Sequence, residues 1–189
     1  MTSEANEMRA GDVLLRVGGA AAVLVAAVAA LGYFFREPLT NAGDWLFATA
    51  GLPGLSALVM ACDPLPGLGF QPGLLLGTAA KVNILPLFFT TALSSMASSM
   101  CGWGIGHLWK DQPWLMRFLR FTGAHAAVAR WGARAVALAS VTPLPYGLAT
   151  VAAGAIGLPF PVLVLASLAR WLKIAASLAA IHAGWSLGA

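Results

Sequence analysis

Charged side chains stranded in apolar sequence are the residues of this chain best placed to do chemistry. Of its seven acidic residues, only Asp63 lies deep in an apolar context, within "VMACDPLPGLGF". A carboxylate at bilayer depth is costly unless paired or protonated, which marks it as a functional candidate. Two readings stand side by side. Asp63 senses or carries a proton, or its oxygen caps the helix that follows by accepting a backbone N–H. Arg170 and Lys173 lie in "LASLARWLKIAASLAA". Three residues apart, they share one helix face, where an arginine fork and a lysine point charge suit a phosphate. For Lys173 the plainer reading is snorkelling to the interface. His107, His125 and His182 fall near helix ends or in a polar link and read as interfacial. There is no HExxH, GxSxG or P-loop and no pair of intramembrane carboxylates. The expectation is a non-enzyme without metal or cofactor.

The elements that must position these groups are membrane helices. The 189 residues are 59% hydrophobic and 10% charged, with a mean hydropathy of +0.81; soluble domains carry about 25% charged residues. The formal charge is +4. Lys110, Arg117, Arg120, Arg130 and Arg134, opposed only by Asp111, account for all of it. Such a block marks a cytoplasmic connector by the positive-inside rule, and it attracts anionic headgroups. With no basic stripe elsewhere, nucleic-acid binding is not expected. Cys62 and Cys101 show no metal-ligand spacing and read as reduced, buried small residues.

Along the chain, residues 1–12 read as a polar tail and 13–36 as a transmembrane anchor, long enough for the roughly 20 residues a span needs. "EPLTNAGDWL" reads as an interfacial link. Residues 45–80 are apolar but interrupted by "DPLPG", and 134–158 repeat the pattern around "TPLPY". Proline inside a helix removes a hydrogen bond and clashes with the preceding turn. Such breaks survive at membrane depth only when buried in protein or lining a wet cavity. Each region is therefore expected to be a re-entrant hairpin. Spanning helices are expected at 84–109 and 160–187, with Ser95, Ser99, Gly102 and Gly106 as close-packing residues. The segment 110–134 alternates Arg with aromatic residues and Leu as one interfacial amphipathic helix.

The halves share one order: apolar arm, Pro-Leu-Pro tip, a glycine step (Gly77; Gly154) and a spanning helix. One crossing separates them, so the second hairpin enters from the opposite face. The expected fold is all-α, with two re-entrant hairpins in an inverted-topology repeat, which places a site near the bilayer midplane. With 110–134 cytoplasmic, the first hairpin enters from outside and the second from the cytoplasm. The N-terminus is then cytoplasmic and the C-terminus outside.

The stretch "VTPLPYGLATVAAGAIGLPFPVLVLASLARWLK" resembles the second half of the VTT domain, shared by bacterial DedA proteins and SNARE-associated Golgi proteins. It is most similar to the subgroup with a T-P-x-P-Y tip. Thr142, Pro143, Pro145, Tyr146, Ala153, Gly154 and Arg170 carry that likeness. In the first half, Asp63, Pro64, Pro66 and Gly67 are similar to an acidic residue beside a P-x-P-G tip, and "GWGIGHLW" to the end of the next helix. The resemblance covers roughly 45–181. Ser140, Tyr146 and His107 stand where arginine is common in the family. The resemblance implies transbilayer movement of lipid with an anionic headgroup, by a flippase- or scramblase-like route. Proton coupling is open to it, as is homo-oligomerisation, and the host membrane would be a bacterial plasma membrane. Two rivals remain: a proton-coupled carrier of a small solute, and a non-transporting scaffold acting through the basic amphipathic segment.

Overall fold

A computed structural model describes residues 35–65, 69–142 and 145–187. Among these residues the chain forms nine helices and no strand: α1 Arg36–Thr49, α2 Gly51–Cys62, α3 Gln71–Ala79, α4 Ile84–Leu108, α5 Pro113–Phe121, α6 Ala124–Trp131, α7 Ala133–Val141, α8 Tyr146–Ala155 and α9 Phe160–Leu187. The expected tail and anchor at 1–36 lie outside the described residues except for Phe35 and Arg36, and Arg36 already opens α1.

Two helices dominate. At 1.5 Å per residue the 25 residues of α4 extend about 37 Å, more than a bilayer core of about 30 Å. Residues 84–108 and 160–183 are both long and apolar enough to cross. The side chain of Asn83 starts α4 by accepting the Leu85 N–H at 3.1 Å, the usual N-cap chemistry. By contrast α2, of 12 residues, and α3, of 9, reach only about 18 and 14 Å. Neither can cross alone.

Two expectations need correcting. The "EPLTNAGDWL" link is helical, as part of α1, and meets α2 at a bend of 117° where Gly51 takes φ +57°. Gly43 lets α1 lie on α3, since a Cβ there would stand 2.6 Å from the Leu76 carbonyl oxygen. The segment 110–134 is not one amphipathic helix. It breaks at Gly123, with φ +74°, into α5 and α6, and α7 begins at Ala133.

The helices enclose two apolar clusters. Leu55, Val59, Phe70, Leu74, Leu87, Ile174 and Leu178 form one; Leu119, Val128, Val136, Ala152, Ala153 and Leu163 belong to the other. Helix α9 serves both, Leu163 and Ala166 in one and Ile174 in the other. Between those levels it carries Ser167 and Arg170. Helix α4 packs on α2, α3, α8 and α9, and α7 on α8 and α9. Outward, α4 and α9 expose Leu85, Phe89, Leu93, Leu165 and Leu172. Large apolar side chains facing outward along two helices of spanning length are those of a membrane protein.

Candidate functional site

Both helix breaks end at the level between the two clusters. Asp63 follows α2 as its C-cap, and Thr142 follows α7 in the same way. A helix C-terminus leaves carbonyls unsatisfied and carries partial negative charge, so each end calls for a donor or a cation. Helix α9 supplies both. Lys173 Nζ donates to the Thr142 carbonyl at 2.7 Å, and the Thr142 hydroxyl donates to the Leu138 carbonyl at 2.6 Å. Arg170 Nη2 donates to Asp63 Oδ1, while the Ser95 hydroxyl donates to Asp63 Oδ2 at 2.8 Å. The Asp63 and Arg170 side chains are 1% and 3% exposed, so this ion pair is almost wholly withdrawn from solvent.

Aromatic faces complete the arginine's surroundings. Its guanidinium carbon lies 4.0 Å from the Tyr146 ring centroid and 5.2 Å from that of Phe70. Each ring follows one of the breaks, and the quadrupole of each attracts the cation. The Tyr146 hydroxyl donates to Ser167 Oγ at 2.6 Å and accepts from Ser99 Oγ at 2.8 Å. Arg170 Nε and Nη1 and Gln71 Oε1 are buried without a hydrogen-bond partner among the described residues.

The breaks touch one another. A Cβ on Gly147 would lie 2.8 Å from both Cα and the carbonyl oxygen of Pro64, so glycine is what lets backbone meet backbone there. Beside this contact lies a cavity of about 110 Å³ bounded by Asp63, Pro64, Ser99, Tyr146 and Gly147.

Of the residues singled out in sequence, Asp63, Pro64, Thr142, Tyr146, Arg170 and Lys173 come together here. Asp63 does not cap the helix after it; its oxygens face Ser95 and Arg170. Lys173 does not snorkel but holds the end of α7. Pro145 is exposed at the N-cap of α8. Gly154 lies elsewhere: a Cβ there would collide with the Trp103 carbonyl oxygen, so it serves the crossing of α8 on α4. Gly106 serves the same crossing against Val151. Pro66, Gly67 and Pro143 lie outside the described residues. Arg117, Arg120, Arg130 and Arg134 are exposed on α5, α6 and α7, away from the buried pair. His107 stacks on Trp103 at 5.0 Å and is exposed. Cys62 and Cys101 are free thiols, but neither is fully buried as expected: Cys62 is half-buried and Cys101 is exposed.

The sequence reading missed Ser167 and Phe70 as members of this cluster and assigned Ser95 and Ser99 to packing alone. The available signal was the hydroxyl density of "SSMASS", whose positions 95 and 99 share a helix face. No protein-family model matches the chain, and no curated protein or solved structure does either.

Proposed function

We propose that the chain moves the headgroup of a phosphate-bearing lipid across the bilayer along this polar waist while the acyl chains stay in the membrane. The observation that carries the reading is the buried Asp63–Arg170 pair, which joins a broken helix to the middle of a spanning one. Ionisable groups at such depth mark a transport path or relay more readily than a stabilising device.

The packing supports a repeat. Exchanging α1, α2, α3 and α4 for α6, α7, α8 and α9 maps most of the helix contacts onto one another. Thus α1 on α3 corresponds to α6 on α8, α2 on α4 to α7 on α9, and α3 on α9 to α8 on α4. In this reading α2–α3 and α7–α8 are re-entrant hairpins entering from opposite faces, and α4 and α9 are the spans. The resemblance to DedA and VTT-domain proteins supports an integral membrane protein with a Pro-x-Pro tip in each half. It also favours a bacterial plasma membrane, and the positive-inside rule puts residues 110–134 on the cytoplasmic side.

The chemistry is an exchange of partners. A lipid phosphate competes with the Asp63 carboxylate for Arg170: a two-point fork pairs Nη2 with Nε or with Nη1, and Nη2 is the nitrogen that Asp63 holds. A proton taken up by Asp63 releases the guanidinium, and its loss restores the pair and expels the headgroup. That cycle couples lipid movement to protons and involves no bond making in the lipid, so the protein is not an enzyme.

The test is translocation in proteoliposomes with headgroup-labelled anionic and zwitterionic lipids. Wild-type protein is expected to abolish protection of inner-leaflet label, and Asp63→Asn and Arg170→Lys to preserve it. The lysine keeps the charge opposite Asp63 but cannot fork on a phosphate. Folded wild-type protein that moves no lipid overturns the reading. The small cavity at the tips favours a second reading, a proton-coupled carrier of a small solute, for which the same vesicles would acidify only when that solute is present. A scaffold acting through α5 and α6 would instead lose all function on deletion of residues 114–131 and be indifferent to both substitutions.

A further inference from the structure

A groove of about 730 Å³ on the outside of the bundle is distinct from the waist. Arg130, Trp131, Arg134, Leu138, Val141 and Ala169 line it. Its volume is within the range of about 300–1,000 Å³ typical of small-molecule sites. Positions 134, 138 and 141 form a single stripe down α7. The stripe begins with a guanidinium and becomes wholly apolar before reaching the second break. Arg130 comes from a different helix, α6, so two elements each contribute a cation to the lining. Neither arginine forms an ion pair with a carboxylate among the described residues. Leu138 and Val141 are 44% and 41% exposed, leaving the apolar floor open sideways. Trp131, at the charged end, is 53% exposed, as suits an indole at headgroup depth.

We infer that this groove is a docking site for one anionic phospholipid, its phosphate held by Arg130 and Arg134 and an acyl chain laid along Leu138 and Val141 against Ala169. Charge complementarity at one end and an open apolar floor at the other select a lipid over a soluble anion. The inference is independent of transport through the waist, because binding here requires neither Asp63 nor Arg170. It also distinguishes the basic residues from one another. Arg117 and Arg120 do not line the groove, so a diffuse surface field would treat both pairs alike whereas a site would not.

Full-length protein in a zwitterionic detergent, titrated with dioleoyl phosphatidylglycerol or phosphatidylcholine, tests this by native mass spectrometry. One phosphatidylglycerol is expected to be retained in preference to phosphatidylcholine. Arg130→Gln with Arg134→Gln should weaken it at least about tenfold, since each basic residue contributes to headgroup attraction. Arg117→Gln with Arg120→Gln, which removes the same charge, should change it less than about twofold. Ala169→Trp, which fills the apolar end without touching a charge, should weaken binding as well. Equal effects of the two arginine pairs, retention of phosphatidylcholine as strong as that of phosphatidylglycerol, or undiminished binding by Ala169→Trp would each overturn the site. So would soluble glycerophosphate competing as well as the lipid.

Discussion

Replacing Asp63 by Asn is the sharpest probe of the waist. Asn keeps the size of the side chain and an oxygen for the Ser95 hydroxyl, but it strands a guanidinium that is 3% exposed. Its remaining company is two aromatic faces, at 4.0 and 5.2 Å. Removing one partner of a buried pair costs about 3–5 kcal/mol, because the other charge stays behind without compensation. For a chain of this size each kcal/mol corresponds to about 2–4 °C, so the unfolding midpoint should fall by roughly 6–20 °C. Arg170→Met leaves the carboxyl with Ser95 and free to take a proton, so its loss should be smaller. The double variant carries no stranded charge and should recover much of the deficit, as buried pairs replaced by apolar groups often do. Thermal unfolding of all four proteins in one detergent completes the cycle. The argument requires a coupling of at least about 2 kcal/mol. It fails if Asp63→Asn costs less than about 1 kcal/mol, or if the single losses add within about 0.5 kcal/mol, as they do for independent sites.

The rest of the site makes narrower demands. Tyr146→Phe should cost about 1 kcal/mol for its hydroxyl contacts. Tyr146→Leu should cost about 2 kcal/mol more, because it also removes the ring beneath Arg170; equal melting of the two would refute the cation–π role. Lys173→Met should raise amide exchange across residues 138–142 by opening the end of α7, at about 1 kcal/mol, and unchanged protection there would refute the cap. Gly154→Ala and Gly106→Ala should each destabilise by at least about 1–3 kcal/mol, since the added methyl meets backbone rather than a flexible side chain. Gly104→Ala, with nothing within 4 Å of its Cβ, should be neutral, and similar melting of all three would contradict the crossing.

What the sequence displays is depth, and what it hides is direction around the helix. Length and apolar character place the long helices within a residue of where they lie, and two Pro-Leu-Pro segments mark where the shorter ones stop. Helix α1 is hidden because "REPLTNAGDWLFAT" has little apolar pattern of its own. It depends on a tertiary contact, Gly43 against α3, which no local period reports. Asp63 and Arg170 stand out separately for the cost of charge at such depth, yet 107 residues part them. Nothing in either segment says that the two side chains face each other. Ser95 and Ser99 conceal their role differently. A small residue at that spacing serves close packing whatever its hydroxyl does, and the hydroxyls acquire a purpose only once a carboxylate and a phenol from other segments arrive. The two breaks make the converse case. A proline inside an apolar helix is a local contradiction, and here each is resolved by a cation on α9, through a side chain at Asp63 and through a main-chain carbonyl at Thr142. Asp63 stands where Thr142 does in the second tip, so α9 holds the first by a carboxylate whose charge a proton can cancel and the second by a neutral carbonyl with no charge to cancel. Of the two, the Asp63 tip is therefore the one that the proposed cycle would release.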